Sequence, residues 1–114
     1  MPFDTVLAER IRNSLQAFPG PIRNDMSEKR MFGGLAFLLR GKMTVGVIGK
    51  EMVVRIVGEK MEGILGMEGV RPMDFNKKPM KEFVFVSSEA MEHEEELSGW
   101  ISLGIEHARR TLNL

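Results

Sequence analysis

The chain has 114 residues, 43 % of them apolar and 28 % charged, a balance that suits one globular domain over residues 1–114 and excludes a disordered chain. Sixteen basic and sixteen acidic side chains cancel, which disfavours direct nucleic-acid binding, because phosphate contacts reward a basic excess. Cysteine is absent, so disulfides, thiolate metal sites and cysteine nucleophiles are excluded.

The N-terminal stretch MPFDTVLAERIRN mixes acids and bases among its apolar residues, unlike a signal peptide. No apolar run approaches the ~20 residues of a membrane span, and the expected location is the cytoplasm. Asp4 precedes Leu7, Ile11, Leu15 and Phe18, one face of a helix with Asp4 as N-cap and FPGP (Phe18 to Pro21) as its stop. A polar segment follows from Arg23 to Arg30.

The period then changes to two. Leu35, Phe37 and Leu39 alternate with Ala36 and Leu38, and the RGK turn (Arg40 to Lys42) leads into Met43, Val45 and Val47 alternating with Thr44, Gly46 and Ile48. A second turn at GKE precedes Met52, Val54 and Ile56, giving three strands in an antiparallel meander. Gly58 to Gly66 reads as a short helix, Gly66 to Pro79 as an irregular loop and Lys81 to Ser87 as a fourth strand. A long helix then begins between Ser88 and His93, with Leu97, Trp100, Ile101, Ile105, Ala108 and Leu112 on one face. The predicted fold is α+β, a two-layer sandwich in the order α-β-β-β-α-β-α, with helices on one face of a four- to five-stranded antiparallel sheet.

Few residues suggest chemistry. Gly33 and Gly34 lack the Lys-Ser/Thr and the helix that a phosphate loop requires, and read as the start or a bulge of a strand. The GILG of Gly63 to Gly66 offers an apolar pair where a nucleic-acid clamp needs a polar one. His93 and His107, if both on the last helix, stand ~21 Å apart along its axis, too far to share a metal. Ser102 and His107 are five positions apart and no GxSxG elbow is present, so no triad is formed. The expectation is a non-enzymatic protein without cofactor or metal.

Arg55 is the one charge in the most apolar strand, an edge or snorkelling arginine on one reading and a partner for Asp74 or an anionic ligand on the other. Both sides of the sheet are apolar: Ala36, Leu38, Ile48, Val53, Val57, Val84 and Val86 oppose the larger side chains of their own strands. An antiparallel sheet with one helical layer normally turns polar residues to its open side, so a covering surface is expected. A second copy of the chain, with ten methionines for adaptable contacts, predicts a homodimer.

The stretches RMFGGLAFLLRGKM, GVIGKEMVVRI, GVRPMDF, KEFVFV and LSGWISLGIEHAR, in order from Arg30 to Arg110, resemble the N-terminal domain of the TfoX/Sxy family. MFGG with RPMDF is the most specific part. The resemblance implies a curved antiparallel sheet with flanking helices and a regulatory role. The family's namesakes promote DNA-uptake competence genes together with the cyclic-AMP receptor protein, and match this chain over their first half only. Met31, Phe32, Gly33, Gly34, Arg71, Pro72, Met73, Asp74 and Phe75 match the family motif and are candidate partner contacts. Protein contacts in transcription-related regulation are the expected function. The alternative is a module binding an anionic or aromatic ligand with Arg55 and the Arg71–Phe75 segment.

Overall fold

The structure is a computed structural model that describes residues 3–31, 33–75 and 78–113, with the backbone alone at 75 and 78–80. The Asp4 carboxylate accepts from the Val6 amide at 2.9 Å and the Leu7 amide at 3.2 Å, satisfying two of the free donors at the start of α1 (Thr5–Leu15). Leu7, Ile11 and Leu15 are buried, as the spacing predicts. α1 ends at Leu15, before FPGP, and a four-residue helix, α2 (Gly20–Arg23), begins inside that stretch, which the sequence pattern does not reveal.

Six strands form one antiparallel sheet in the order β1-β2-β3-β4-β6-β5, two more than the clear alternations indicate. The predicted element order is corrected at both added strands. The polar segment before Arg30 is largely β1 (Met26–Met31), paired with β2 (Gly34–Leu39) from Met26 opposite Leu39 to Met31 opposite Gly34. The predicted irregular loop contains β5 (Val70–Phe75), paired with β6 (Lys78–Val86), which begins three residues before the predicted strand. Both additions are edge strands. An edge strand needs no apolar alternation and tolerates Pro72, because one side of its ladder is unpaired. The central strands β3 (Lys42–Ile48) and β4 (Glu51–Arg55) lie where they are predicted.

α3 (Gly58–Leu65) packs half-buried Met61, Ile64 and Leu65 on the core. One turn of 3₁₀ helix, Ser88–Ala90, precedes α4 (Glu94–Thr111). α4 starts at a capping box: the His93 amide donates to Glu96 at 3.0 Å and the Glu96 amide donates back to the His93 side chain. Leu97, Trp100, Ile101, Ile105 and Ala108 are buried beneath it, and the Trp100 indole donates to the Ala90 carbonyl at 2.9 Å.

The core lies between the helices and one face of the sheet, and joins α1 and α4 to Leu35, Phe37, Leu39, Val45, Val47, Met52, Val54, Val84 and Val86. A second apolar cluster on the opposite face contains strand residues only, from all six strands: Ala36, Met43, Val53 and Met73, with half-buried Met31, Leu38, Ile48, Phe83 and Phe85 around them.

The make-up of that second face differs from the sequence reading in two respects. Val84 and Val86 belong to the main core, and Phe83 and Phe85 face away from the helices. Met43 also changes sides, because the register slips between Phe37 and Leu38: Phe37 pairs with Val45 but Leu38 with Met43, leaving Thr44 as the extra residue of a bulge. Thr44 is buried, and its hydroxyl donates to the Phe37 carbonyl at 2.9 Å, which satisfies the polar group that the bulge encloses.

Candidate functional site

Among the described residues the four helices lie against one face and the other has no helical cover, and most of the sequence-predicted residues lie on it or at its margin. Gly33 occupies the β1–β2 turn with φ 74°, and Gly34 opens β2 where a Cβ would lie 3.0 Å from Ile48 Cγ1 and crowd the Val47 backbone. Gly34 is the strand start read from the sequence, and Gly33 is the turn of a hairpin that the sequence reading did not include. Phe32 falls outside the described residues, as does the side chain of Phe75.

The two halves of the family motif do not meet. Met31 ends one edge strand and Arg71–Phe75 lie on the other, five strand spacings or ~24 Å away. Met31 and Met73 share the apolar cluster of the helix-free face, Asp74 is exposed, and Pro72 stands opposite Val84 of the main core. The structure thus makes β5 a strand with residues on both faces, where an irregular loop was expected.

Arg55 sits on an inner strand and pairs with Glu82 rather than Asp74. Its Nε and Nη2 donate to Glu82 Oε1 at 3.1 and 2.9 Å, and its guanidinium lies 5.3 Å from the Phe83 ring centroid. Arg71 repeats the arrangement one row away. It stacks at 4.4 Å on the Phe85 ring and donates through both terminal nitrogens to Glu51, one bond at 2.7 Å. Each arginine covers an aromatic ring with its planar cation while a carboxylate cancels its charge. This is how the two phenylalanines remain half-buried without a helix above them.

Glu82 also accepts from His107 Nε2 of α4 at 2.7 Å, so one carboxylate ties the sheet to the last helix. The Arg55 bonds, ahead of burial and of His107, hold its carboxyl below the usual carboxylate range. A depressed folded value stabilises the fold above the unfolded value of ~4.3, and that contribution disappears as pH falls through the folded value. Glu82→Gln is expected to cost under ~1 kcal/mol at pH 7, because the Glu82 side chain is half exposed, and the difference should shrink at pH 3. Urea unfolding at both pH values measures this; an equal loss at each would mean that the carboxylate's charge contributes nothing.

The two ends of the face differ in charge. Around Arg71 the Glu51 carboxylate balances the guanidinium. At the Gly41 end, a basin of about 330 Å³ is lined by Lys29, Lys42 and Arg55 over Met31, Leu38, Met43 and Phe83, with no carboxylate in its wall among the described residues. Lys29 comes from β1, Lys42 from the start of β3 and Arg55 from β4, so only the sheet brings them together. Sequence reasoning singled out Met31 and Arg55 but missed Lys29, Lys42, Phe83 and Glu82. The one local signal was the i, i+2 spacing of Phe83 and Phe85. A separate groove of about 400 Å³, between Phe18 and Ile22 on one side and Ile105 and Arg109 of α4 on the other, contains none of the predicted residues.

The architecture is that of an α+β domain with a one-sided helical layer and an apolar, arginine-studded sheet face. The sequence profile of the TfoX N-terminal domain matches residues 20–108, and the chain belongs to that family. No curated protein matches it. No helix among the described residues is long and apolar enough to cross a membrane.

Proposed function

We propose that this chain is a non-enzymatic interaction domain of transcription-related regulation, working through protein contacts on the helix-free face of its sheet, with a second copy of the chain as the partner there. The observation that carries the reading is the cluster of half-buried Met31, Leu38, Ile48, Phe83 and Phe85, drawn from four strands and covered by arginine side chains but by no helix among the described residues. Burying aliphatic and aromatic side chains of this size contributes ~1.5–3 kcal/mol each. Glu51 balances the Arg71 guanidinium on the adjoining half of the face, which removes that charge from the contact between two copies related by a twofold axis. At 35 × 32 × 26 Å the molecule is broad enough for the ~800 Å² per partner that a stable interface needs. Membership of the TfoX N-terminal domain family supports the regulatory part.

Light scattering tests the contact. A dimer is expected at tens of micromolar, and Ile48→Glu, which places a charge in that cluster, should return the chain to a folded monomer. A wild-type monomer at high micromolar concentration overturns the proposal.

A further inference from the structure

The geometry points to a second use of the same face: the basin at its Gly41 end is a binding site for a small organic anion with a flat apolar body, an aromatic carboxylate or aryl phosphate. Four observations converge there. Three cations from three strands surround one concavity, and its wall contains no carboxylate among the described residues. Its volume, about 330 Å³, lies at the lower end of the range for small-ligand sites. Its floor is apolar, with the Phe83 ring beside Leu38 and Met43. Finally, Arg55 is already fixed by Glu82 and stacked on Phe83, so it shapes the wall without being drawn out to a ligand.

Division of labour follows from this pairing. With Arg55 largely neutralised by Glu82, the exposed ammonium groups of Lys29 and Lys42 supply the uncompensated charge, and neither has an ion-pair partner among the described residues. Charge focused in a concavity with low-dielectric walls attracts an anion more strongly than the same lysines on a flat surface. The floor then selects for a flat apolar body over inorganic anions, since an ion alone leaves Leu38, Met43 and Phe83 uncovered. The basin shares Met31, Leu38 and Phe83 with the surface proposed for self-association, so an anion and a second copy compete for that end of the face, and the basin stays open to ligand in a monomer.

The test is calorimetric titration of the full chain with 2-naphthoate, 2-naphthyl phosphate and the neutral 2-naphthalenemethanol, with amide shifts recorded by NMR. One or both anions should bind saturably and shift Met31, Leu38 and Phe83; the tighter of the two identifies the preferred head group. The alcohol should bind at least about tenfold more weakly, the loss of one charge-assisted contact. Lys29→Gln/Lys42→Gln, a surface double variant expected to fold normally, should weaken the anions by about tenfold or more and leave the alcohol unchanged. Light scattering on the same samples keeps a failure of dimerisation separate from a failure of binding. Equal affinity for the alcohol and the anions, an unaffected double variant, shifts centred elsewhere, or no saturable binding of either anion each overturns the proposal.

Discussion

Gly104→Ala is expected to lower stability by about 2–3 kcal/mol, in the range for forcing extra volume into a packed core. The residue lies on the buried face of α4, directly over the Thr44 bulge of β3. A Cβ there would stand 2.7 Å from the Thr44 carbonyl carbon and 3.0 Å from Val45 Cγ1. Alanine gains up to ~1 kcal/mol of helix propensity over glycine, which opposes the clash. The clash should win. The obstacle is backbone, held by the Thr44 hydroxyl bond to Phe37, and cannot rotate aside as a side-chain end would. A fall in Tm of roughly 10 °C should follow for a domain of this size. Gly99→Ala, on the same helix with open space around its Cβ, is the internal control and should be neutral or stabilising. A Tm for Gly104→Ala equal to or above that of the wild type would show that α4 does not rest on the bulge.

The second large effect separates the two glycines of the MFGG motif. Gly34→Ala should cost about 2–3 kcal/mol, because the added methyl would meet the Val47 backbone, its carbonyl carbon 3.1 Å away, in the neighbouring strand. Gly33→Ala should cost only ~1–2 kcal/mol, the strain of φ 74° for an alanine in a turn with nothing near its Cβ. Chemical denaturation measures both. The ordering matters more than the values. If Gly34 instead tolerated alanine while partner binding failed, the motif would be a contact surface rather than a hairpin device.

These two predictions mark how far the residues speak for themselves. That Gly33 and Gly34 belong to sheet and not to a phosphate loop was legible from the period of two that follows them. That Gly34 admits no side chain was not, since the obstacle is Val47 on another strand. Gly104 gave no local warning either. Nothing in LSGWISLGIEHAR shows that its second glycine lies over a bulge opened sixty residues earlier in the chain.

The candidate site divides in the same way. Arg55 stood out as a charge among valines, and Met31 as part of a motif. Lys29 looked like one more residue of a polar segment, and its strand was invisible because β1 is an edge with charged side chains on both faces. The partner of Arg55 was misjudged for a similar reason. Asp74 and Glu82 are both compatible with the sequence, and only the pairing of β4 with β6, Arg55 opposite Phe83, brings Glu82 within reach.

By itself the amino-acid order determined the helices α1 and α4, the β2–β3–β4 meander, the one-sided helical layer and the apolar character of both sheet faces. The elements follow from a periodicity of 3.6 or 2 carried within one segment, with capping groups and glycine turns at its ends, and the helical layer follows from their order. Tertiary structure alone decided the two edge strands, the side to which Met43, Val84 and Phe85 turn, and the gathering of three cations over an apolar floor. Those depend on cross-strand register and on a single extra residue at Thr44. A shift of one position reverses every side chain beyond it, and no local pattern records that shift.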